Sequence, residues 1–233
     1  MMKSLGLAAL MLAVATPALA APDRIATEAI IHDYLLAHPE IIPEAMQVLQ
    51  ERQTTKAISE NRAAIETPFG SEWEGDPHGD VTLVEFFDYN CGYCRASVKD
   101  IDRLLAEDKK LRVVYQEMPV LGAESDAAAL FSLAIAQKPG NWAAFHRGVY
   151  ANGDASAKSV ATAAVKAGFA PPSAAALKEP AIRNRINQNL NLLQALRITG
   201  TPSWVVGNRL LNGAVGYDEL KAAIVEARAE AKR

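Results

Sequence analysis

The chain has 233 residues, 50% of them hydrophobic, and its 24 basic and 27 acidic side chains give a formal net charge of −3. This mildly acidic balance provides no electrostatic basis for binding nucleic acid or an anionic lipid surface. The length suffices for one good core and a smaller appendage, so the fold does not need a disulfide for stability.

The first part of the chain, residues 1–20, has the pattern of a secretory signal peptide. Lys3 supplies the positive start, residues 5–14 are apolar but too few to span a bilayer, and Ala18-Leu19-Ala20 is a small-residue cleavage site. A retained membrane anchor is the alternative, and no later segment is apolar enough to insert into a membrane. We therefore expect export to an oxidising compartment.

The next segment, residues 21–66, predicts a helical extension ahead of the main domain at 67–233. It contains no glycine, and its apolar residues recur at helical spacing with a break at His38-Pro39. The end of the segment is polar, with Ile58 and Ile65 seven residues apart. So thinly apolar a helix needs a partner, either the adjoining domain or further copies of the chain, and the pattern favours self-association.

The main domain opens with a β-α-β pattern after an entry segment rich in glycine and proline. Residues 81–87 are almost continuously apolar, residues 91–105 have an amphipathic helical pattern, and residues 111–116 predict a second strand. Such a unit favours parallel strands joined by a right-handed crossover. Alanine-rich helices follow over about 125–186, before two short strands and a last helix. These elements predict an α/β fold.

Cys91 and Cys94 are the only cysteines, and they lie two residues apart where the first strand gives way to a helix. Unpaired N–H groups and the helix dipole favour a thiolate at that point. Zinc would need four ligands, while the histidines are scattered, and a purely structural disulfide here would constrain little chain. The motif therefore predicts a redox-active disulfide without another cofactor. Cys91 is expected to attack and Cys94 to resolve the mixed disulfide.

Glu85 interrupts the apolar strand six residues before the first cysteine. An unpaired carboxylate in a core is costly, so we expect burial to raise its pKa. From a position beneath the disulfide it could accept or deliver the proton of Cys94. A solvent-facing place at a strand edge is the alternative.

Four stretches of the chain together resemble the DsbA-like branch of the thioredoxin superfamily. The resemblance implies a thioredoxin fold with an inserted helical subdomain and thiol-disulfide exchange activity. It assigns the acid to Glu85, the nucleophile to Cys91, the resolving thiol to Cys94, and a cis-proline pair to Thr201 and Pro202. Beside a cis-proline, the backbone of Thr201 could pair with an extended client segment. The matching stretches are 84–94 (VEFFDYNCGYC), 117–122 (EMPVLG), 142–146 (WAAFH) and 199–204 (TGTPSW).

Two features refine the resemblance. The cysteines enclose Gly92-Tyr93 rather than the Pro-His of strongly oxidising members, and CGYC is similar to the motif of periplasmic disulfide isomerases. Residues 32–42 (HDYLLAHPEII) are similar to the N-terminal extension of ScsC-type proteins, which are linked to copper tolerance. This similarity implies a periplasmic homo-oligomer, trimer or dimer, that acts on secreted client proteins with cysteines. It also implies a membrane reductant of the ScsB/DsbD kind.

Three functions remain open from the sequence. An oligomeric disulfide isomerase or reductase is favoured, because several reduced thiols around one client raise the effective concentration of attack. A monomeric dithiol oxidase of the DsbA type is the second. The third is a thiol chaperone that binds Cu(I) through the two cysteines, since thiolates suit a soft metal.

Overall fold

The computed structural model describes residues 23–232, so the predicted signal peptide lies outside the described residues. The chain divides into two compact units, and the second begins at Leu49. No helix in the described range is both long and apolar enough to cross a membrane. In chain order the elements are α1 (Arg24–Ala37), α2 (Ile41–Glu66), β1 (Trp73–Gly75), β2 (Val81–Phe87), α3 (Gly92–Glu107), β3 (Leu111–Glu117), α4 (Ala123–Ala136), α5 (Trp142–Asn152), α6 (Ala157–Lys166), a 3₁₀ turn (Ala176–Lys178), α7 (Pro180–Leu196), β4 (Ser203–Val206), β5 (Arg209–Asn212) and α8 (Gly216–Glu230).

The first unit, as far as it is described, consists of α1 and the first residues of α2. The Asp23 side chain caps α1 by accepting the backbone N–H of Ile25 at 3.1 Å. No residue of α1 is buried. So many exposed apolar side chains in a short segment are typical of an interaction surface. They are Ile25, Ile30, Ile31, Tyr34, Leu36, Ile42, Met46 and Val48.

The second unit is built on a five-stranded sheet in the order β1-β3-β2-β4-β5. Strands β2 and β3 are parallel and are connected through α3, while the other pairs are antiparallel. All residues of β2 except Thr82 are buried, as expected for a central strand covered on both faces. The predicted β-α-β unit and the α/β fold class are confirmed.

Alternate residues of β2 face the two layers that cover the sheet. Leu83 and Phe87 belong to a core shared with α3, α8 and the helices α4 to α6. Val84 and Phe86 belong to a second core, which includes Ile58 and Ile65 of α2 together with residues of α7. Helices α4 to α7 lie between β3 and β4, where the sequence predicts the helical insertion over about 125–186.

The C-terminal part of α2 packs on the sheet, which differs from the predicted division at residue 66. Ile58 and Ile65 are both 0% exposed and lie in the core of the second unit. Gln116 fixes the end of the helix, since its Nε2 donates to the Ile65 carbonyl at 2.6 Å. The seven-residue spacing places both isoleucines on one helix face, and that face is covered by the chain's own sheet.

Candidate active site

Cys91 caps the N-terminus of α3, at the end of the loop that follows the central strand. The Cys94 N–H donates to the Cys91 sulfur at 3.4 Å, and the Cys91 N–H donates to the Asp88 carbonyl at 3.0 Å. Both cysteines are free thiols and both are buried, Cys94 more deeply than Cys91. The predicted helix start and the greater access to Cys91 are thus found in the structure.

The two thiols have opposite electrostatic environments. The pKa of Cys91 is lowered to about 5, chiefly by the hydrogen bond from the Cys94 thiol and also by backbone N–H groups at the helix start, although burial opposes the shift. Burial raises the pKa of Cys94, with further contributions from Cys91 and from the charge of Glu85. At neutral pH Cys91 is therefore a thiolate and Cys94 a thiol.

Thr201 and Pro202 lie beside the nucleophile. The peptide bond between them is cis, which confirms the expectation drawn from the family motif. The Cys91 sulfur lies 3.1 Å from the Thr201 carbonyl oxygen, which can accept a hydrogen bond from it only when Cys91 is protonated, and Pro202 is buried. A main-chain acceptor thus lies within hydrogen-bond distance of the reactive sulfur.

Glu85 lies in the middle of the sheet, in register with Tyr115 on β3 and Trp204 on β4. Its side chain is 1% exposed, so the alternative of a solvent-facing edge is wrong. Burial raises its pKa well above the ordinary value, and the negative charges of Cys91 and Glu74 add to the shift. Its Oε1 has no hydrogen-bond partner among the described residues. A buried carboxyl group that interacts with both thiols is suited to proton exchange.

Several buried polar residues around the dithiol are not among the site residues predicted from the sequence. The Tyr89 hydroxyl lies 3.2 Å from both Ser132 Oγ and His146 Nδ1, and burial lowers the pKa of the histidine. The Tyr150 hydroxyl donates to the Asp88 carbonyl at 3.0 Å. The sequence contained a signal for three of these residues. Asp88, Tyr89 and His146 fall within the stretches 84–94 and 142–146 that carry the family resemblance, whereas Ser132 and Tyr150 lie outside them.

A pair of buried carboxyl groups, Glu72 and Glu117, was also missed. Burial is the main reason that both pKa values are raised, and the charge of Glu72 raises the pKa of Glu117 further. Arg185 is the cation that acts on Glu72, and its Nη2 also donates to the Thr67 carbonyl at 2.6 Å. Within the described residues, no group of three or more His, Cys, Asp or Glu side chains could hold a metal ion.

The chemistry available here is disulfide exchange, since a thiolate, a protonated partner thiol and a buried acid meet on a thioredoxin-type sheet. The protein is a thiol-disulfide oxidoreductase. Residues 82–225 match the DSBA-like thioredoxin domain, and the chain belongs to this family. Residues 23–55 match the copper resistance protein ScsC N-terminal domain. Both resemblances drawn from the sequence are confirmed.

Solved structures support the assignment. Proteus mirabilis ScsC, in a linker-deletion mutant form, is 26% identical and aligns over 93% of this chain and 100% of that chain with a TM-score of 0.71. A thioredoxin-like oxidoreductase from Silicibacter pomeroyi is 37% identical over 72% of this chain and 98% of that chain, with a TM-score of 0.66. A periplasmic thioredoxin-like protein from Salmonella enterica serovar Typhimurium is 28% identical over 72% and 95%, with a TM-score of 0.66. A comparison with curated proteins gives no match.

Proposed function

We propose that the protein is a periplasmic disulfide isomerase or reductase that acts through Cys91 and Cys94. The observation that carries the proposal is the Cys91 pKa of about 5. It lies between the values of about 7 in thioredoxin and about 3.5 in the strong oxidant DsbA. A lower pKa stabilises the reduced form, so the intermediate value supports an intermediate reduction potential. The uncharged pair Gly92-Tyr93 accounts for the absence of a further decrease.

The proposed reaction begins when the Cys91 thiolate attacks one sulfur of a client disulfide. A mixed disulfide forms, and the other client sulfur leaves as a thiolate. In isomerisation, a client thiolate attacks the client sulfur of the mixed disulfide, which creates a new client disulfide and restores the Cys91 thiolate without net redox change. In reduction, Cys94 loses its proton and attacks the Cys91 sulfur, which releases the client thiolate and leaves the Cys91–Cys94 disulfide. Glu85 is the buried group with which Cys94 would exchange that proton.

The Thr201 carbonyl has a separate role in this proposal. Its oxygen lies 3.1 Å from the Cys91 sulfur, which has no proton to donate either as a thiolate or in a mixed disulfide. A backbone N–H of the client would then bind the carbonyl, as in the addition of a strand. Pro202 would hold this acceptor beside the sulfur.

The proposal includes a periplasmic location and self-association as a trimer or dimer. The predicted signal peptide and the periplasmic Salmonella relative support the location. The exposed apolar side chains of the first unit and the match to the ScsC N-terminal domain support association. Several thiolates facing one client would raise the effective concentration of attack on wrongly paired disulfides. A membrane reductant of the ScsB/DsbD kind would keep Cys91 reduced.

The redox state of the dithiol in the periplasm distinguishes isomerase from oxidase. Cells are quenched with acid, and free thiols are then modified with a reagent that adds mass. We expect mostly reduced Cys91 and Cys94, since an isomerase must attack as a thiolate. A mostly oxidised pair would refute this proposal in favour of the monomeric dithiol oxidase.

The contribution of association is tested in the full chain. Substituting serine at Ile30, Ile31 and Leu36 removes exposed apolar side chains without touching the sheet. We expect a fall to monomer mass in light scattering and a loss of activity on scrambled ribonuclease, while reduction of a simple disulfide persists. Val165→Ser is the matched control, because Val165 is a similarly exposed apolar residue of the second unit. Unchanged mass and isomerisation in the triple variant would exclude association through this surface.

A role in copper handling is the second candidate, favoured by the match of residues 23–55 to a copper resistance domain. The two thiols are soft ligands of the kind that Cu(I) prefers. We expect a Cys91→Ser, Cys94→Ser double variant to lose Cu(I) in competition with a chromogenic chelator. Binding equal to that of the wild type would exclude the thiols as the copper site.

A further inference from the structure

Asp88 is a buried acidic residue that the disulfide chemistry does not use. It lies three residues before the nucleophile and is 1% exposed. Three backbone N–H groups donate to its carboxylate, those of Asn90 at 2.8 Å, Val120 at 2.8 Å and Leu121 at 3.0 Å. Hydrogen bonds to a charged acceptor are stronger than neutral ones, and this set satisfies a charge that burial would otherwise penalise.

The main chain of the same residue is bound to the redox loop and to a helix of the insertion. Its carbonyl accepts the Cys91 N–H and the Tyr150 hydroxyl, each at 3.0 Å. The side chain therefore holds the loop over 118–122 against the loop that carries the nucleophile. The redox loop also has an independent attachment, because the Asn90 side chain bonds to Ser125 Oγ and to the Ala155 N–H.

Exposed apolar side chains are concentrated at the loop over 118–122 and at the start of α3. Val120 is 43% exposed and Leu121 52% exposed, and Tyr93 between the two cysteines is 71% exposed. Among the described residues of the second unit, three of the six exposed large apolar side chains thus lie in the loop over 118–122 or in the first turn of α3. The full set is Leu49, Tyr93, Val120, Leu121, Val165 and Val225.

We propose that Asp88 is a positioning residue for client recognition, which holds Val120 and Leu121 beside the dithiol as a contact surface for apolar client side chains. The occupant is a client segment with a large apolar residue next to its disulfide-bonded cysteine. Any client sulfur that reacts must approach Cys91, so its neighbouring residues pass over the loops joined at Asp88. The inference rests on the proposed function, because it concerns the client of the same reaction.

Two disulfide-linked peptides, identical except for Leu or Ser next to the cysteine, test the inference. The readout is the ratio of their kcat/KM values, in which a general loss of thiol reactivity cancels. We expect the wild type to prefer the Leu peptide about ten-fold, as partial burial of one large apolar side chain allows. Asp88→Ala should reduce the ratio toward one, while Asp88→Asn should restore part of it, because its amide oxygen can still accept from the loop.

Leu121→Ser keeps the proposal testable if the Asp88 variants fail to fold. This change leaves every backbone hydrogen bond of the loop in place and should also reduce the ratio. Val225→Ser, an exposed position on α8, should leave both the ratio and the rates unchanged. A full preference retained in Leu121→Ser or in a folded Asp88→Ala would overturn the inference. A wild type that reacts with both peptides equally would overturn it too, whereas a wild type that reacts with neither would refute the proposed function itself.

Discussion

The hydrogen bond between the two thiols makes the reactivity of Cys91 depend on the chemical nature of residue 94. The Cys94 thiol is the largest single cause of the decrease in the Cys91 pKa to about 5. Cys94→Ala removes this donor but keeps the backbone N–H that also binds the sulfur. We therefore expect the pKa of Cys91 to rise toward the ordinary thiol value without reaching it. Cys94→Ser retains a hydroxyl donor, so its pKa should lie between those of the wild type and the alanine variant.

The magnitude follows from the thiolate populations. With a pKa of about 5, the ratio of thiolate to thiol at pH 6 is about 10 to 1, whereas an ordinary cysteine of pKa about 8.5 has a ratio of about 1 to 300. Alkylation consumes the thiolate, so Cys91 should react about 300-fold faster than an ordinary cysteine of equal nucleophilicity and access at this pH. The alanine variant should fall between these limits.

The assay is the rate of iodoacetamide modification between pH 4 and 9, with mass spectrometry to locate the label. A single label at Cys91 is expected below pH 8, because the pKa of Cys94 is raised by burial. The unfolded protein, in which both thiols are ordinary, provides the reference rate. Coincident pH profiles for the wild type and Cys94→Ala would refute the assigned cause. A wild-type midpoint above pH 8 would refute the low pKa itself.

Three further predictions concern buried groups. Glu85→Gln removes the buried acid, and we expect closure of the active-site disulfide to slow about 100-fold in rapid-quench measurements; an unchanged rate would exclude Glu85 from the proton transfer. Glu117 has a raised pKa, so the folded state binds more protons there than the unfolded state, and stability falls as pH rises above about 4.5. Glu117→Gln should therefore lose less free energy of unfolding between pH 5 and 8 in urea titrations, and an identical loss would contradict the burial argument. Ile65→Ala should lower the free energy of unfolding by about 2–5 kcal/mol, against less than about 0.5 kcal/mol for the exposed control Val225→Ala; similar effects at both sites would place Ile65 outside the core.

The structure changes how one pattern in α2 is understood. Ile58 and Ile65 could serve either an intramolecular or an intermolecular contact, because hydrophobic spacing defines a face of a helix but not what covers it. In the structure this face packs against the sheet of the same chain. The exposed apolar side chains on which the proposed self-association depends belong to the first unit, where none of the α1 residues is buried.

The roles of the two cysteines and of the cis-proline motif could be predicted from the sequence without a structure. The spacing of Cys91 and Cys94 at a strand-to-helix junction predicted the attacking and resolving thiols, because the helix terminus that lowers a thiol pKa is a local feature. The cis peptide bond at Thr201-Pro202 followed from the family motif. For Glu85, the sequence left burial and an exposed edge both open.

Long-range packing determined which polar groups are buried and which of them are in contact. Glu85 is buried because its strand, β2, lies between β3 and β4. The interaction of Glu72 with Glu117 joins the segment before β1 to the end of β3. The contact of Asp88 with Val120 and Leu121 joins residues more than thirty positions apart. The sequence by itself determined the dithiol and the order of the elements, since both depend on neighbours along the chain. Only the tertiary structure decided which polar groups are buried together, because burial and charge interactions depend on distances in space.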